Sequence, residues 1–440
     1  MSQKDTIIVV GSGLAGLTAA TYLARAGLKV AVFEKAANPG GRATTWQQQG
    51  YALNRGGHAL YAGGAATQVL HELAIRVPAG SPRNVQALLE GQFFAYPGDP
   101  ISLLRTALLA GAEKWELLTL LARLALLRPR SLASVSVQAW IDQHVRHKRV
   151  RRLLLASART LTYSGNLGLI SMEPFLTQLQ LSLRRPVLYI DGGWQTLVVG
   201  LRRAAEQAGA HINTGKPITA VVQHNGRVRG VELDDGQLHE AQAVVLATEP
   251  ADVMRLVADP ALTQRLAALQ PLTVACLDVA LRHLPRPDRP VALDLDQPRF
   301  YSAQSLFARV APAGGAVLHA LRYLDPLTAS DARQHEHELE ELLDAAQPGW
   351  RGLVVKRFFL PHLQVLGAVP TATGDGFAGR PEPRVAQIGG LYLAGDWVGQ
   401  DGYLADACFA SGRQAAQLLL TDLIRARQPA VGRPGSGLAA

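Results

Sequence analysis

The chain has 440 residues, 48% hydrophobic and 18% charged, a balance that excludes extended disorder and, at this length, predicts two globular domains rather than one small core. Lys and Arg outnumber Asp and Glu, 44 against 35; the excess suits acidic ligands or an anionic surface, yet no basic helix or aromatic-interleaved basic patch accompanies it, so nucleic acid is not an expected partner. Cys276 and Cys408 stand far apart and outside any Cys-x-x-Cys spacing, so no disulfide framework, redox dithiol or metal site is expected.

The first element is decisive. Four β-formers, Ile7 to Val10, feed Gly11-Ser12-Gly13-Leu14-Ala15-Gly16, a helical run from Leu17 to Ala26 follows, and a second strand, Lys29 to Phe33, ends at Glu34. This is the pattern of a βαβ nucleotide-binding unit. Gly11 provides the tight turn, Gly13 admits a pyrophosphate to the backbone, and Gly16 allows close helix–strand packing. The helix dipole then faces the phosphates, and Glu34 can accept from ribose hydroxyls, which favours FAD or NAD over NADP. The short lead before Ile7 leaves no room for a signal peptide, so a cytoplasmic location is expected.

A Pro/Gly loop follows Glu34 and Lys35, ending in Gly40-Gly41-Arg42, where the arginine could meet a phosphate, and then comes Asn54-Arg55-Gly56-Gly57-His58. Together, Gly11 to Gly16, Glu34 and Gly40-Gly41-Arg42 resemble the FAD-binding N-terminus shared by flavin amine oxidases, protoporphyrinogen oxidases and phytoene desaturases. The resemblance implies an α/β fold: a doubly wound, glutathione-reductase-like Rossmann FAD domain with an interleaved mixed α+β substrate domain. It also implies FAD contacts from Gly11, Gly13, Leu14, Ala15, Gly16, Glu34, Lys35, Gly41, Arg42, Gly57 and His58, with His58 a candidate catalytic group.

Residues 65 to 190 read as leucine-rich helices. Within them, Ile101 to Leu127 is the most apolar run, with Arg105, Glu113, Glu116 and Arg123 gathered on one side at about 100° per residue. Its five charges exclude a transmembrane span. We read it as a buried helix of the substrate domain, the alternatives being an apolar tunnel wall or a surface that makes peripheral membrane contact. The cluster Arg146 to Arg152 reads as a solvated helix end.

After Asp191-Gly192-Gly193-Trp194 a helix leads to a strand around Ile218 to Val222, which Asn225-Gly226 turns into a hairpin with Val228 to Leu233. The apolar strand Ala243 to Ala247 then rejoins the main sheet. The resemblance places Ile218, after Lys216-Pro217, against adenine through its backbone. Residues 251 to 384 read as the second half of the substrate domain. His335-Glu336-His337 and His144-x-x-His147 read as solvated surface without metal.

Near the end, a short strand reaches Gly395-Asp396, a loop carries Gly402-Tyr403-Leu404, and a helix runs from Phe409 to Ile424. In the resembling family the residue at Asp396 bonds the ribityl or pyrophosphate part of FAD, and a helix N-terminus faces the flavin O2 edge, where its partial positive charge favours negative charge on the flavin. Gly395, Asp396, Tyr403 and Leu404 are thus further cofactor candidates, and Tyr403 is a candidate catalytic aromatic. Asp406 departs from the family's usual glycine, which puts the start of the helix in doubt. The tail, residues 426–440, is expected to be flexible.

The expected division is FAD-binding over 1–70, 190–250 and 385–425, and substrate-binding over 71–189 and 251–384. The expected activity is FAD-dependent dehydrogenation (desaturation) of a bulky apolar small molecule, with hydride passing to flavin N5. A flavin amine oxidase is the alternative, and a non-redox flavin isomerase or degenerate FAD-binding protein a further one. No second nucleotide motif follows the first, so the expected electron acceptor is dioxygen or a quinone rather than NAD(P).

Overall fold

A computed structural model describes residues 6–427. Its centre is a five-stranded, all-parallel sheet in the order His211–Thr214, Lys29–Glu34, Thr6–Val10, Ala243–Leu246, Leu391–Leu393. Three distant stretches of chain therefore build one sheet. Alternation along the strands sorts their side chains onto two faces. Ile7, Val9, Val30, Val32 and Val245 pack on helices Leu14–Arg25 and Ala405–Arg427. Ile8, Val10, Phe33, Val244 and Leu246 pack on Val221, Val228 and Val231 of a three-stranded antiparallel meander. The meander's first turn is the Asn225-Gly226 pair, both at positive φ (49° and 70°). The chain is thus α/β and doubly wound around a parallel sheet.

The second layer system is a seven-stranded, largely antiparallel sheet in which Val354–Leu366, Leu272–Leu281 and Ala316–Tyr323 are neighbours. One face carries Leu277, Val279 and Leu318 onto the helix Ala332–Ala346. The opposite face turns Cys276, His319 and Leu321 toward the turn at Gly56-Gly57. Helices Gly111–Leu126, Val137–His144, Lys148–Thr162 and Met172–Arg184 enclose a separate core around Trp140 and Phe175.

Several expectations need correction. The first helix starts at Leu14, with Gly13 as its N-cap, three residues earlier than its apolar run suggested. Ile101 to Leu127 is two helices, Pro100–Arg105 and Gly111–Leu126. Nor is the run buried throughout: Leu117, Leu120 and Leu124 face inward, but Trp115, Leu118 and Leu126 are exposed. The charges near its centre are the part turned toward the protein, since Glu116 accepts from the backbone N–H groups of Arg146 and His147. His335 is buried beside Ser330 rather than solvated. The last helix begins at Ala405 and continues to Arg427, two residues into the expected tail; residues 428–440 lie outside the described residues.

Candidate functional site

The C-terminal ends of the parallel strands open into a cleft of about 410 Å³. Parallel α/β sheets hold ligands there because the loops diverge and helix N-termini converge. Gly11, at φ +96°, turns the chain off the first strand, and its N–H donates to Phe33 O at 2.8 Å. The helix that follows has no side-chain cap, so its first N–H groups have no intrahelical partner and look into the cleft. A Cβ on Gly13 would meet nothing within 4 Å, whereas one on Gly16 would lie 2.0 Å from Gly11 O. Gly13 therefore leaves ligand space and Gly16 leaves packing space.

Of the residues singled out in the sequence, Gly11, Gly13, Leu14, Ala15, Glu34, Lys35, Gly41, Arg42, Gly57, His58, Ile218, Gly395, Asp396, Tyr403 and Leu404 all line this one cleft. Gly16 does not; it lies beneath the glycine turn, packed against it. Glu34 is fixed by Ser12, whose N–H and Oγ–H both donate to Oε2 at 2.8 and 2.7 Å, and by Ala36 N–H at Oε1. Arg42 is held by carboxylates: its Nη1 lies 2.6 Å from Asp396 Oδ2 and its Nε 3.2 Å from Glu249 Oε1. The other oxygen of Asp396 accepts from Gly367 N–H. Lys35 pairs with Asp252 at 2.9 Å.

His58 Nδ1 lies 2.8 Å from Gly56 O. A carbonyl only accepts, so Nδ1 carries the proton, and the neutral ring offers Nε2 as an acceptor. Burial pushes the His58 pKa down to about 4, so the ring is neutral at physiological pH. Tyr403 presents its ring to the cleft, but its hydroxyl donates to Thr162 O at 2.8 Å, and burial holds its pKa well above the ordinary value. It is placed to pack, not to exchange protons. Leu404, at φ +53°, ends the loop, and the helix starts at once, at Ala405. Leu404 therefore holds the position at the helix mouth that the Asp406 departure had put in doubt.

Sequence reasoning missed three features and named a fourth, Asp406, only as a departure from the family's glycine. Glu249, just past the strand Ala243–Leu246, partners Arg42, and its place after a sheet strand was a usable signal. Asp406 sits in the first turn of its own helix while Oδ1 accepts from Ala66 N–H, at 2.7 Å, in the first turn of helix Ala65–Glu72; burial raises its pKa to about 6. Asp278 gathers Cys276 Sγ, His319 Nδ1 and Gly56 N–H at 2.9, 2.6 and 2.9 Å, pinning the turn that carries His58. Arg380 is buried, donates from Nη1 to Gly402 O, and leaves Nε and Nη2 without partners. No local pattern announces the last two, because their members come from distant strands and loops.

The remaining lining combines apolar and phenolic side chains, Tyr61, Tyr163, Leu321 and Leu363 among them, with the polar Arg55, Lys216, Thr248, Arg255 and Gln364. Lys356, the sole lysine after Lys216, is not among the lining residues: it lies exposed, with its ammonium 5.8 Å from the Trp46 ring and 5.0 Å from that of Phe358.

These features fit an FAD. The open space over Gly13 and the uncapped helix suit a pyrophosphate, Glu34 suits a ribose, and the second helix mouth at Leu404 suits the electron-rich edge of an isoalloxazine. The comparisons agree. The chain is 27% identical over 383 residues to an all-trans-zeta-carotene desaturase of Myxococcus xanthus, covering 72% of this chain and 71% of that protein. It is 25% identical over 293 residues to a phytoene desaturase of Cercospora nicotianae, covering 56% of this chain and only 45% of that one. An oxidoreductase from Methanosarcina mazei shares the fold with a TM-score of 0.77 at 21% identity, over 94% of this chain and all (100%) of that one. The family model for flavin containing amine oxidoreductases matches residues 14–420. The chain belongs to that family, and it is an oxidoreductase whose cofactor is FAD.

Proposed function

We propose that the chain desaturates a bulky, largely apolar small molecule, one carbon passing hydride to FAD while the adjacent carbon releases a proton to water as the double bond forms, and that it meets this substrate at a membrane surface. When bound, the flavin supplies the hydride acceptor, N5; the protein binds, orients and desolvates. The observation that carries this reading is the composition of the shared cleft. Beside the candidate cofactor residues it offers Tyr61, Tyr163, Leu321 and Leu363, while Lys356 is turned out to solvent. Removing hydride from carbon demands alignment first, and the proton released with it needs only an acceptor. Two of the titratable groups there suit that demand, His58 being neutral and the Tyr403 hydroxyl tied to backbone.

Residues 1–70, 190–250 and 385–425 form the cofactor unit in this proposal, and 71–189 with 251–384 the substrate unit. Electrons leave to dioxygen or a quinone. The test is anaerobic reduction of the bound flavin by isoprenoid and other apolar compounds, by primary amines and polyamines, and by NADH and NADPH. Bleaching by apolar compounds is expected. Fast bleaching by small amines would replace this reading with amine oxidation, and fast reduction by NADH or NADPH would overturn the choice of acceptor. The family's own description as amine oxidoreductases keeps amines in the panel.

A further inference from the structure

Helix Gly111–Leu126 is apolar on two sides: Leu117, Leu120 and Leu124 face the core, and a second apolar face is turned outward. At about 100° per residue, Gly111, Ala112, Trp115, Leu118, Thr119, Ala122, Ala125 and Leu126 fall within an arc of roughly 140°. All are exposed, and the arc contains no charge. Its one polar group, the Thr119 hydroxyl, donates back to the helix's own carbonyls at Trp115 and Glu116. The acids Glu113 and Glu116 lie on the protein side, where Glu116 holds His147. The preceding helix, Pro100–Arg105, adds Ile101 and Leu104, 62% and 76% exposed, while Trp115 and Leu126 reach 67% and 86%. Five of the twelve large hydrophobic side chains exposed among the described residues thus fall within 26 residues of sequence, 101–126. Scattered exposed leucines need no explanation, but the uncharged exposed face of Gly111–Leu126 does.

We propose that this face docks on an anionic lipid surface. Arg105, Arg123 and Arg128 are exposed around it and make no ion pair among the described residues. A tryptophan with leucines between cationic side chains is the composition of a helix lying in a membrane interface, where long cationic stems reach the headgroups. A second copy of the chain fits less well, because a two-fold contact through this face would set arginines against arginines. No helix among the described residues is long and apolar enough to cross a membrane, so the contact is peripheral. The proposal gives physical form to the membrane-surface part of the function proposed above and rests on that reading only for its purpose.

The experiment is flotation of the full-length, FAD-loaded protein with phosphatidylcholine vesicles, with and without phosphatidylglycerol. Binding to the anionic vesicles, weakened by salt, is expected; the Leu118→Asp/Leu126→Asp variant should bind at least about tenfold more weakly with an unchanged flavin spectrum. Should that variant fold poorly, brominated lipids should quench tryptophan emission of the wild-type protein and quench Trp115→Phe clearly less. Absence of binding, equal binding of wild type and variant, or a salt-stable dimer that the substitutions disperse would each overturn the proposal. No substrate is present in this assay, so its failure and a failure of the flavin-reduction panel are separately visible.

Discussion

The two helix mouths that open on the cleft handle charge in opposite ways. At Gly13 the neighbourhood is balanced: Glu34 is satisfied by Ser12 and Ala36, and Arg42 by Asp396 and Glu249. At Leu404 it is not. Asp406 is buried with one backbone donor, and Arg380 is buried with two donor groups unmatched and stacked 4.4 Å over Phe377. Buried, incompletely paired charge costs stability, so where it persists it points to a field put to use. We read the first mouth as built to hold a ligand and the second as built to act on one.

The largest expected effect breaks the first mouth. Gly13→Trp should yield a folded, colourless protein, since its side chain projects into open cleft and fills pyrophosphate space. Gly16→Leu should instead fail to fold, because even its Cβ would be driven to 2.0 Å from Gly11 O. Flavin absorbance and thermal melting of the two variants separate the cases; a yellow Gly13→Trp protein would remove the pyrophosphate from that turn.

The second prediction concerns two opposed titrations at the other end. His58 has its pKa lowered to about 4 from 6.5, so the folded state binds fewer protons than the unfolded one, and its contribution is lost as pH falls from 6.5 toward 4. Asp406 has its pKa raised to about 6 from 3.8; the folded state binds more protons, and stability is lost as pH rises between those values. Each is worth about 3 kcal/mol at most, with opposite sign, so the wild type should show little net slope across this window. Asp406→Asn should unmask a stability that rises with pH, and His58→Gln one that falls. Denaturation midpoints across this pH range check both; parallel profiles for the two variants would refute the assignment.

What was legible in the sequence followed from how local the cause is. The glycine turn, Glu34 and the Gly395-Asp396 strand end are dictated by backbone geometry within a few residues, and those residues were read and are found together at one cleft, Gly16 excepted. The run Ile101 to Leu127 reads from its sequence as one buried helix, whereas the structure breaks it into two and turns part of its apolar surface outward. Periodicity divides a helix into faces, but only the neighbours decide which face is inside, and here Glu116 caps the approach to helix Lys148–Thr162 while tryptophan faces out. Arg380, Asp278 and His319 carry no sequence signal because tertiary structure alone brings them to Gly402 and Gly56.

A smaller effect tests the second mouth directly. Arg380 lies 5.8 Å from the Tyr403 ring that lines the cleft, and burial lowers its pKa to about 10, so it stays charged at neutral pH. At an effective dielectric of about 20, a cation and a unit negative charge about 8 Å apart interact by about 2 kcal/mol, an upper scale for what Arg380 could add to a reduced flavin bound at this mouth. Arg380→Met should therefore lower the two-electron midpoint potential of bound FAD by up to about 40 mV. Arg380→Lys should restore most of it, and the cofactor-free Arg380→Met protein should melt no lower than wild type, since a poorly paired buried cation has been removed. An unchanged potential with a lower melting temperature would leave Arg380 a packing residue.

The smallest effect is expected at Lys356, and its smallness is informative. An amine-oxidising site of the resembling kind would use a lysine at the flavin, and this chain has none after Lys216 except Lys356. That residue sits on the strand Val354–Leu366, paired in register with Ala280, and its ammonium meets the faces of Trp46 and Phe358 rather than the cleft. Exposed cation–π contacts contribute about 0.5 to 1 kcal/mol. Lys356→Met should thus lower the melting temperature slightly and leave both the flavin spectrum and the rate of anaerobic flavin reduction by the best apolar substrate unchanged. A large loss of reduction rate in this variant, above all with an amine as reductant, would place the ammonium at the flavin and reverse the preference for carbon dehydrogenation over amine oxidation.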